Sequence, residues 1–260
     1  PAQIDNKNVT SIGDFAFIAC STLTEVSIPD TVVNIGEFAF RECTSLAKIN
    51  IPDKVTNIGD NAFFKCAGLT EINIPNSLKI IESHVFEDCT GLTEVNIPAG
   101  VTSIGDAAFY GCKNLAKVLM PESLTSIGLA AFCCSGLKEL NLPNNVVNIG
   151  KSAFNYCLGL TEIRIPSSLT TITDNAFSEC MNVTQVTIPV SVKSIEESAF
   201  SECRSLTDVY YSGTEAQWNE ITIVEKGNEK LILATKHFAK ADEPASDYEY
   251  QELTADTVEI

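Results

Sequence analysis

Ile58-Gly59-Asp60-Asn61-Ala62-Phe63-Phe64-Lys65-Cys66, followed by Leu69-Thr70-Glu71-Ile72-Asn73-Ile74-Pro75, decides the architecture. In the second half Ile72 and Ile74 alternate with polar residues, the pattern of a short half-buried strand. Pro75 ends it, because it has no N–H to donate and its φ is fixed. The first half is too short for a stable free helix and is predicted as a helical or 3-10 turn with Ile, Ala, Phe and Cys inward. Neither half can bury enough apolar surface by itself.

Repetition supplies the missing surface. Phe recurs at 17, 40, 63, 86, 109, 132, 154, 177 and 200, in steps of 23 residues with a single 22. Cys follows at 20, 43, 66, 89, 112, 134, 157, 180 and 203, and Pro at 29, 52, 75, 98, 121, 143, 166 and 189. A fixed period of this size marks a solenoid. The reading is an α/β-type solenoid of nine turns, with short parallel strands on one face and short helical or 3-10 turns on the other. Successive strands then lie roughly 4.8 Å apart, and the nine Phe rings form one interior stack.

Ten cysteines raise the question of zinc, disulfides or a nucleophile. No C-x-x-C pair occurs, and one thiol per turn spreads along an axis instead of converging on a metal. Buried, reduced thiols packing as small hydrophobes are expected. The short turn keeps the Cys134-to-Leu137 spacing, which places the deletion between Phe132 and Cys134. Cys133 then sits in the slot of Ile18, Arg41, Phe64 and Tyr110, exposed, at a local kink.

Composition excludes several classes. The 260 residues carry 17 Lys+Arg against 34 Asp+Glu, a net charge of -17 that repels phosphate backbones, so no nucleic acid is expected. No apolar run of 18 residues occurs, so no membrane insertion is expected. The start, Pro1-Ala2-Gln3, has neither Met nor an apolar signal core, and a signal peptide is expected to have been removed. Two histidines, His84 and His237, leave little for metal sites, and no cofactor is expected.

The unit I-P-x-x-V-x-x-I-G-x-x-A-F-x-x-C-x-x-L resembles the BspA-type leucine-rich repeat of bacterial and protist surface proteins, over about residues 9–206. The segment from Val209 to Ile221, with Trp218, resembles the closing module of such arrays. The resemblance implies a curved solenoid, export, and binding of proteins or surfaces. It carries no shared catalytic residues.

Three parts follow: a repeat solenoid over 1–206, a C-terminal capping module over 207–240, and an acidic tail or linker over 241–260. After Leu206 the period stops, where an open apolar end would otherwise remain. Thr214-x-x-Gln217 reads as a capping box opening a short helix that carries Trp218 as a plug. Ile221-Thr222-Ile223 and Leu231-Ile232-Leu233 are predicted as strands, with His237 in the cap. The tail holds seven acids and no base. It is a solvated linker or a docked segment, and the sequence does not choose.

In a leucine-rich repeat the outward residues of the strands form the concave face. One column is Glu25, Lys48, Glu71, Glu94, Lys117, Glu139, Glu162, Gln185 and Asp208. The next is Ser27, Asn50, Asn73, Asn96, Leu119, Asn141, Arg164, Thr187 and Tyr210. Candidate partner-binding residues are Glu25, Lys48, Glu71, Asn73, Glu94, Asn96, Lys117, Glu139, Asn141, Glu162, Arg164 and Tyr210. Glu71 beside Glu94 and Glu139 beside Glu162 set like charges one strand apart, which costs stability. That cost fits a recognition surface, and equally a solvated face inherited by repetition.

Carboxylates about 5 Å apart also match retaining glycosidases. A regular face offers no cleft to split two carboxyl pKa values, and no nucleophile motif appears, so no catalytic residues are assigned. His84 is expected to be a plain exposed residue. Phe15, Phe38, Ile18, Phe64 and Tyr110 either fill gaps between turns or form a docking patch. The sequence thus predicts a secreted or cell-surface module binding a protein or glycan of a host or neighbouring cell. A passive spacer or display scaffold is the alternative. Oligomeric state stays open, with a monomer expected.

Overall fold

The computed structural model describes the backbone at residues 3–4 and residues 7–239; the acidic tail lies outside them. Each turn of the solenoid has three sides. The first carries the three- or four-residue strands, from Glu25–Ser27 and Lys48–Asn50 to Gln185–Ile188 and Asp208–Tyr211, paired in parallel at strict 23-residue register. The second carries a two-residue ladder, such as Ser11–Ile12, Asn34–Ile35 and Asn57–Ile58. The third holds the Phe-bearing segment.

The third side was expected to be helical or 3-10, and it takes the form of linked turns. Two residues in each repeat have a left-handed backbone, for example Phe38 (φ 56°) with Glu42 (φ 60°) and Asn61 (φ 59°) with Lys65 (φ 58°). A positive φ interrupts any continuous helix and aims alternate N–H groups at the next turn. Phe38, Phe40 and Glu42 donate to the carbonyls of Asp60, Ala62 and Phe64, while Arg41 and Cys43 bond back within their own turn. This side is therefore a ladder as well.

The interior matches the expected stack. Phe17 through Phe200 pack ring on ring with centroids 5.1–5.6 Å apart. From Phe40 onward all eight are fully buried. All ten cysteines are free. The thiols also tie one turn to the next. Cys43, Cys66, Cys89 and Cys112 each donate to the Phe carbonyl of the preceding turn, at 3.1 Å. Burial pushes these thiols up, to about 12 for Cys66.

The short turn differs from its prediction. Cys134 has φ 59°, the left-handed slot of Glu42 and Lys65, so it stands one place before the ladder position. Ser135 fills that position, with its N–H on Phe132 O and its hydroxyl 3.3 Å from the Cys157 thiol. The missing residue therefore lies between Ser135 and Leu137. Hydrogen bonding fixes the Phe-to-ladder interval, so the shortening falls on the connection after it. Cys133, expected to be exposed, is buried, with its sulfur 3.6 Å from that of Cys134. Residues 139–141 do not pair as a strand.

Both strand ladders are also interrupted from Asn57–Ile58 to Ile80–Ile81, with Glu71–Asn73 to Glu94–Asn96, and again after Asn148–Ile149. At these steps the slot of Gly59 becomes Glu82 and that of Gly150 becomes Thr173. A Cβ on Gly36, Gly59, Gly128 or Gly150 would lie 2.5–2.6 Å from the backbone nitrogen of the preceding turn. A side chain in this slot crowds the preceding turn, and at Glu82 and Thr173 the turns part. The same two steps bring Glu71 beside Glu94 and Glu139 beside Glu162, where repulsion acts in the same direction. Glu196 also carries a side chain in this slot, yet its ladder is intact.

After Leu206 the chain makes one longer coil. Thr214 caps the helix Glu215–Trp218 in a reciprocal box with Gln217, and Trp218 is buried edge-on to Tyr211. The strand predicted over Ile221-Thr222-Ile223 forms at Thr222–Ile223, where it continues the two-residue ladder. The predicted strand at Leu231–Leu233 is instead part of the helix Glu229–Leu233, which lays Leu231 over the end of the core. The strand comes afterwards, at Thr235–Phe238, beside Asp208–Tyr211.

Candidate functional site

The site follows from strand alternation. In Glu71-Ile72-Asn73 the central residue points to the core and its neighbours point outward. Parallel pairing at constant register then stacks equivalent residues into columns. Glu25, Lys48, Glu71, Asn73, Glu94, Asn96, Glu139, Asn141 and Tyr210 are exposed, and Lys117, Glu162 and Arg164 are half-buried. The proposed residues therefore share one face, with Glu139 and Asn141 on its unpaired stretch.

Much of this face pairs with itself. Lys48 Nζ lies 2.5 Å from Glu71 and Lys117 Nζ 4.0 Å from Glu139. Such exposed pairs are worth little individually. The Glu71 contact raises the pKa of Lys48 above its ordinary value.

The C-terminal end of the face is different in chemistry. There the second column changes from Asn to Arg164, Thr187, Tyr210 and, one coil on, His237. Sequence reasoning had placed His237 only in the cap, because the 23-residue count fails after Leu206. The Tyr210 ring stacks on His237 at 4.5 Å and 13°. Arg164, Gln185, Thr187, Tyr210, Ser212 and His237 border a cavity of about 430 Å³, with Tyr211 and Phe238 contributing apolar surface.

The neighbouring column braces these groups. Glu162 accepts from Gln185 Nε2 at 2.8 Å with one oxygen and meets Arg164 Nη2 at 3.3 Å with the other. Asp208 lies 2.7 Å from His237 Nε2. The His237 ring, then the Thr207 hydroxyl, hold the Asp208 carboxyl below its usual value.

His84, expected to be plain and exposed, is half-buried with Nδ1 on Glu87. Phe15 stacks on Phe38 at 5.0 Å, and Arg41 lies between Phe38 and Phe64, so several of these aromatics bridge turns. Among the described residues no group of three potential ligands could hold a metal ion, and no helix is long and apolar enough to cross a membrane.

Known proteins agree with this architecture. A leucine rich cell surface protein from Faecalibacterium prausnitzii is 29% identical, covering 85% of this chain and 89% of its own, with a TM-score of 0.51. A leucine-rich repeat protein from Bacteroides ovatus is 26% identical, over 91% and 81%, with a TM-score of 0.52. No protein of curated function matches. The family model described as the BspA type leucine rich repeat region matches residues 10–136 and 125–222. The chain belongs to the BspA-type leucine-rich repeat family.

Proposed function

We propose that the chain is a non-enzymatic recognition module of the cell surface, binding a protein or glycan through its strand face. The observation that carries the reading is the face itself. Its polar columns are exposed and in register over successive turns, while the apolar side chains of the same strands go to the core. Similarity to a leucine rich cell surface protein supports the location. In this reading residues 1–206 present the surface, 207–240 close it, and 241–260 are an acidic tail or linker. The module works as an exported monomer.

The test is binding to immobilised matrix proteins and glycans, before and after charge reversal by Glu71→Lys with Glu94→Lys. A loss of about tenfold or more for a macromolecular partner is expected. Unchanged affinity moves the site off this part of the face. The self-pairing of Lys48 with Glu71 and Lys117 with Glu139 favours a second reading, a passive spacer. Failure to bind any partner would select it.

A further inference from the structure

We propose that the cavity beside Tyr210 and His237 is a binding site for a neutral saccharide unit. The proposal rests on the reading of the strand face as a recognition surface and gives that surface a specific ligand chemistry. The cavity's volume of about 430 Å³ falls within the range of small-ligand sites, roughly 300–1,000 Å³.

The arrangement is built for holding something in place. Arg164, Gln185 and His237 at the rim are each fixed by an acid of the adjacent column. Glu162 uses one oxygen for Gln185 and the other for Arg164, and Asp208 holds His237. Tyr210 is held by its stack on His237 yet remains 41% exposed. Prior ordering of this kind removes part of the entropy cost that a ligand would otherwise meet.

The chemistry of the lining selects the class. No carboxylate borders the cavity, so a cation finds no counter-charge. Arg164 and His237 already face Glu162 and Asp208, and the protein carries -17 overall, so an anion gains little. A wholly apolar ligand would strip water from Arg164, Gln185 and His237 without replacing its hydrogen bonds. Over the paired strands from Glu162–Arg164 to Asp208–Tyr211 a peptide main chain has no ladder to join, because their side chains form the rim. A neutral polyhydroxyl ring fits all four conditions. Its hydroxyls meet donors on Arg164 and Gln185 and both donors and acceptors on Thr187, Tyr210 and Ser212. Its C–H face meets the aromatic surface of Tyr210.

Four side chains in register, roughly 4.8 Å apart, span about 14 Å. That length accommodates two or three linked sugars, so oligosaccharides are the appropriate probes. The experiment is calorimetric titration of the intact chain with neutral hexose tetrasaccharides, uronic-acid tetrasaccharides and an acidic peptide. It is repeated on Tyr210→Ala, Gln185→Ala and the distant surface variant Asp53→Lys, with thermal melting to verify folding.

The expected result is binding of a neutral tetrasaccharide that weakens about tenfold or more in Tyr210→Ala and in Gln185→Ala. Asp53→Lys should leave it within about twofold, because Asp53 is exposed, lies several turns away and is outside the proposed binding residues. Saccharide binding indifferent to Tyr210 and Gln185 overturns the site while leaving the face reading in place. Binding confined to uronic-acid probes or to the peptide overturns the neutral-sugar assignment. If no saccharide binds while an immobilised protein does, the inference fails and the surface reading stands. If nothing binds, both fail.

Discussion

The two ends of the solenoid carry the same repeat and meet opposite fates. Phe17 and Phe200 occupy equivalent positions, as do Cys20 and Cys203. At the N-terminal end Phe17 is half-buried and Cys20 exposed, and Phe15 and Ile18 of the same turn are 52% and 41% exposed. At the C-terminal end Phe200 and Cys203 are fully buried. Local sequence does not account for this, since both turns contain the same A-F-x-x-C motif. Burial in a repeat array belongs to the interface between turns, and a residue enters the core only when a neighbour covers each side.

Cover at the C-terminal end is polar as well as apolar. The N–H of Phe177 finds Ala199 O on the next turn, whereas Phe200 has no tenth repeat ahead of it. Its N–H bonds Asn228 Oδ1 at 3.0 Å instead, while Asn228 Nδ2 donates to Glu196 O and Val224 O. One buried carboxamide thus stands in for a backbone carbonyl of the next turn, beside the Ser198 N–H that still finds Lys226 O.

Large-to-small substitution along the ring stack offers the strongest way to break this comparison. Phe109→Ala, with a ring on either side, should cost about 3–5 kcal/mol in chemical denaturation. Phe17→Ala, half-buried and with Phe40 as its one ring neighbour among the described residues, should cost less than half as much. Equal losses would mean that the two ends do not differ as described. A smaller effect comes from the polar cover. Asn228→Ala removes the acceptor of the Phe200 N–H and the donor to Val224 O, while Glu196 O keeps the Ala199 N–H, and should cost about 1–3 kcal/mol. A loss indistinguishable from zero would show that water takes over these bonds.

The sequence made the repeat legible because a hydrophobic period survives variation at every other position. The strand columns followed directly, since alternation puts Glu71 and Asn73 on one side wherever Ile72 points in. The backbone of the third side was not legible. Left-handed conformation is usually advertised by glycine, but here Phe38, Glu42, Lys65 and Tyr156 adopt it, held by hydrogen bonds to the next turn, and within the nine repeats Gly111 alone follows the rule. The same hidden regularity displaced Cys134. Matching residue types aligned it with the thiol ladder, whereas the backbone assigns that place to Ser135. His237 escaped notice for a related reason, because the last coil takes 27 residues from Asp208 to Thr235, not 23. The distinctive cavity of the face therefore lies where periodicity stops being informative.

Native-state alkylation with residue-level mass mapping tests most directly that one dry core runs from turn to turn and opens only at its first turn. At about pH 9 a thiolate is the reacting species. Burial keeps Cys66, Cys157 and Cys203 protonated by holding them up at about 12. The expected result is rapid labelling of Cys20, slower labelling of half-buried Cys134, and no labelling of Cys66, Cys157 or Cys203 until the chain unfolds. Labelling of those three as fast as Cys20 would contradict the continuous interior.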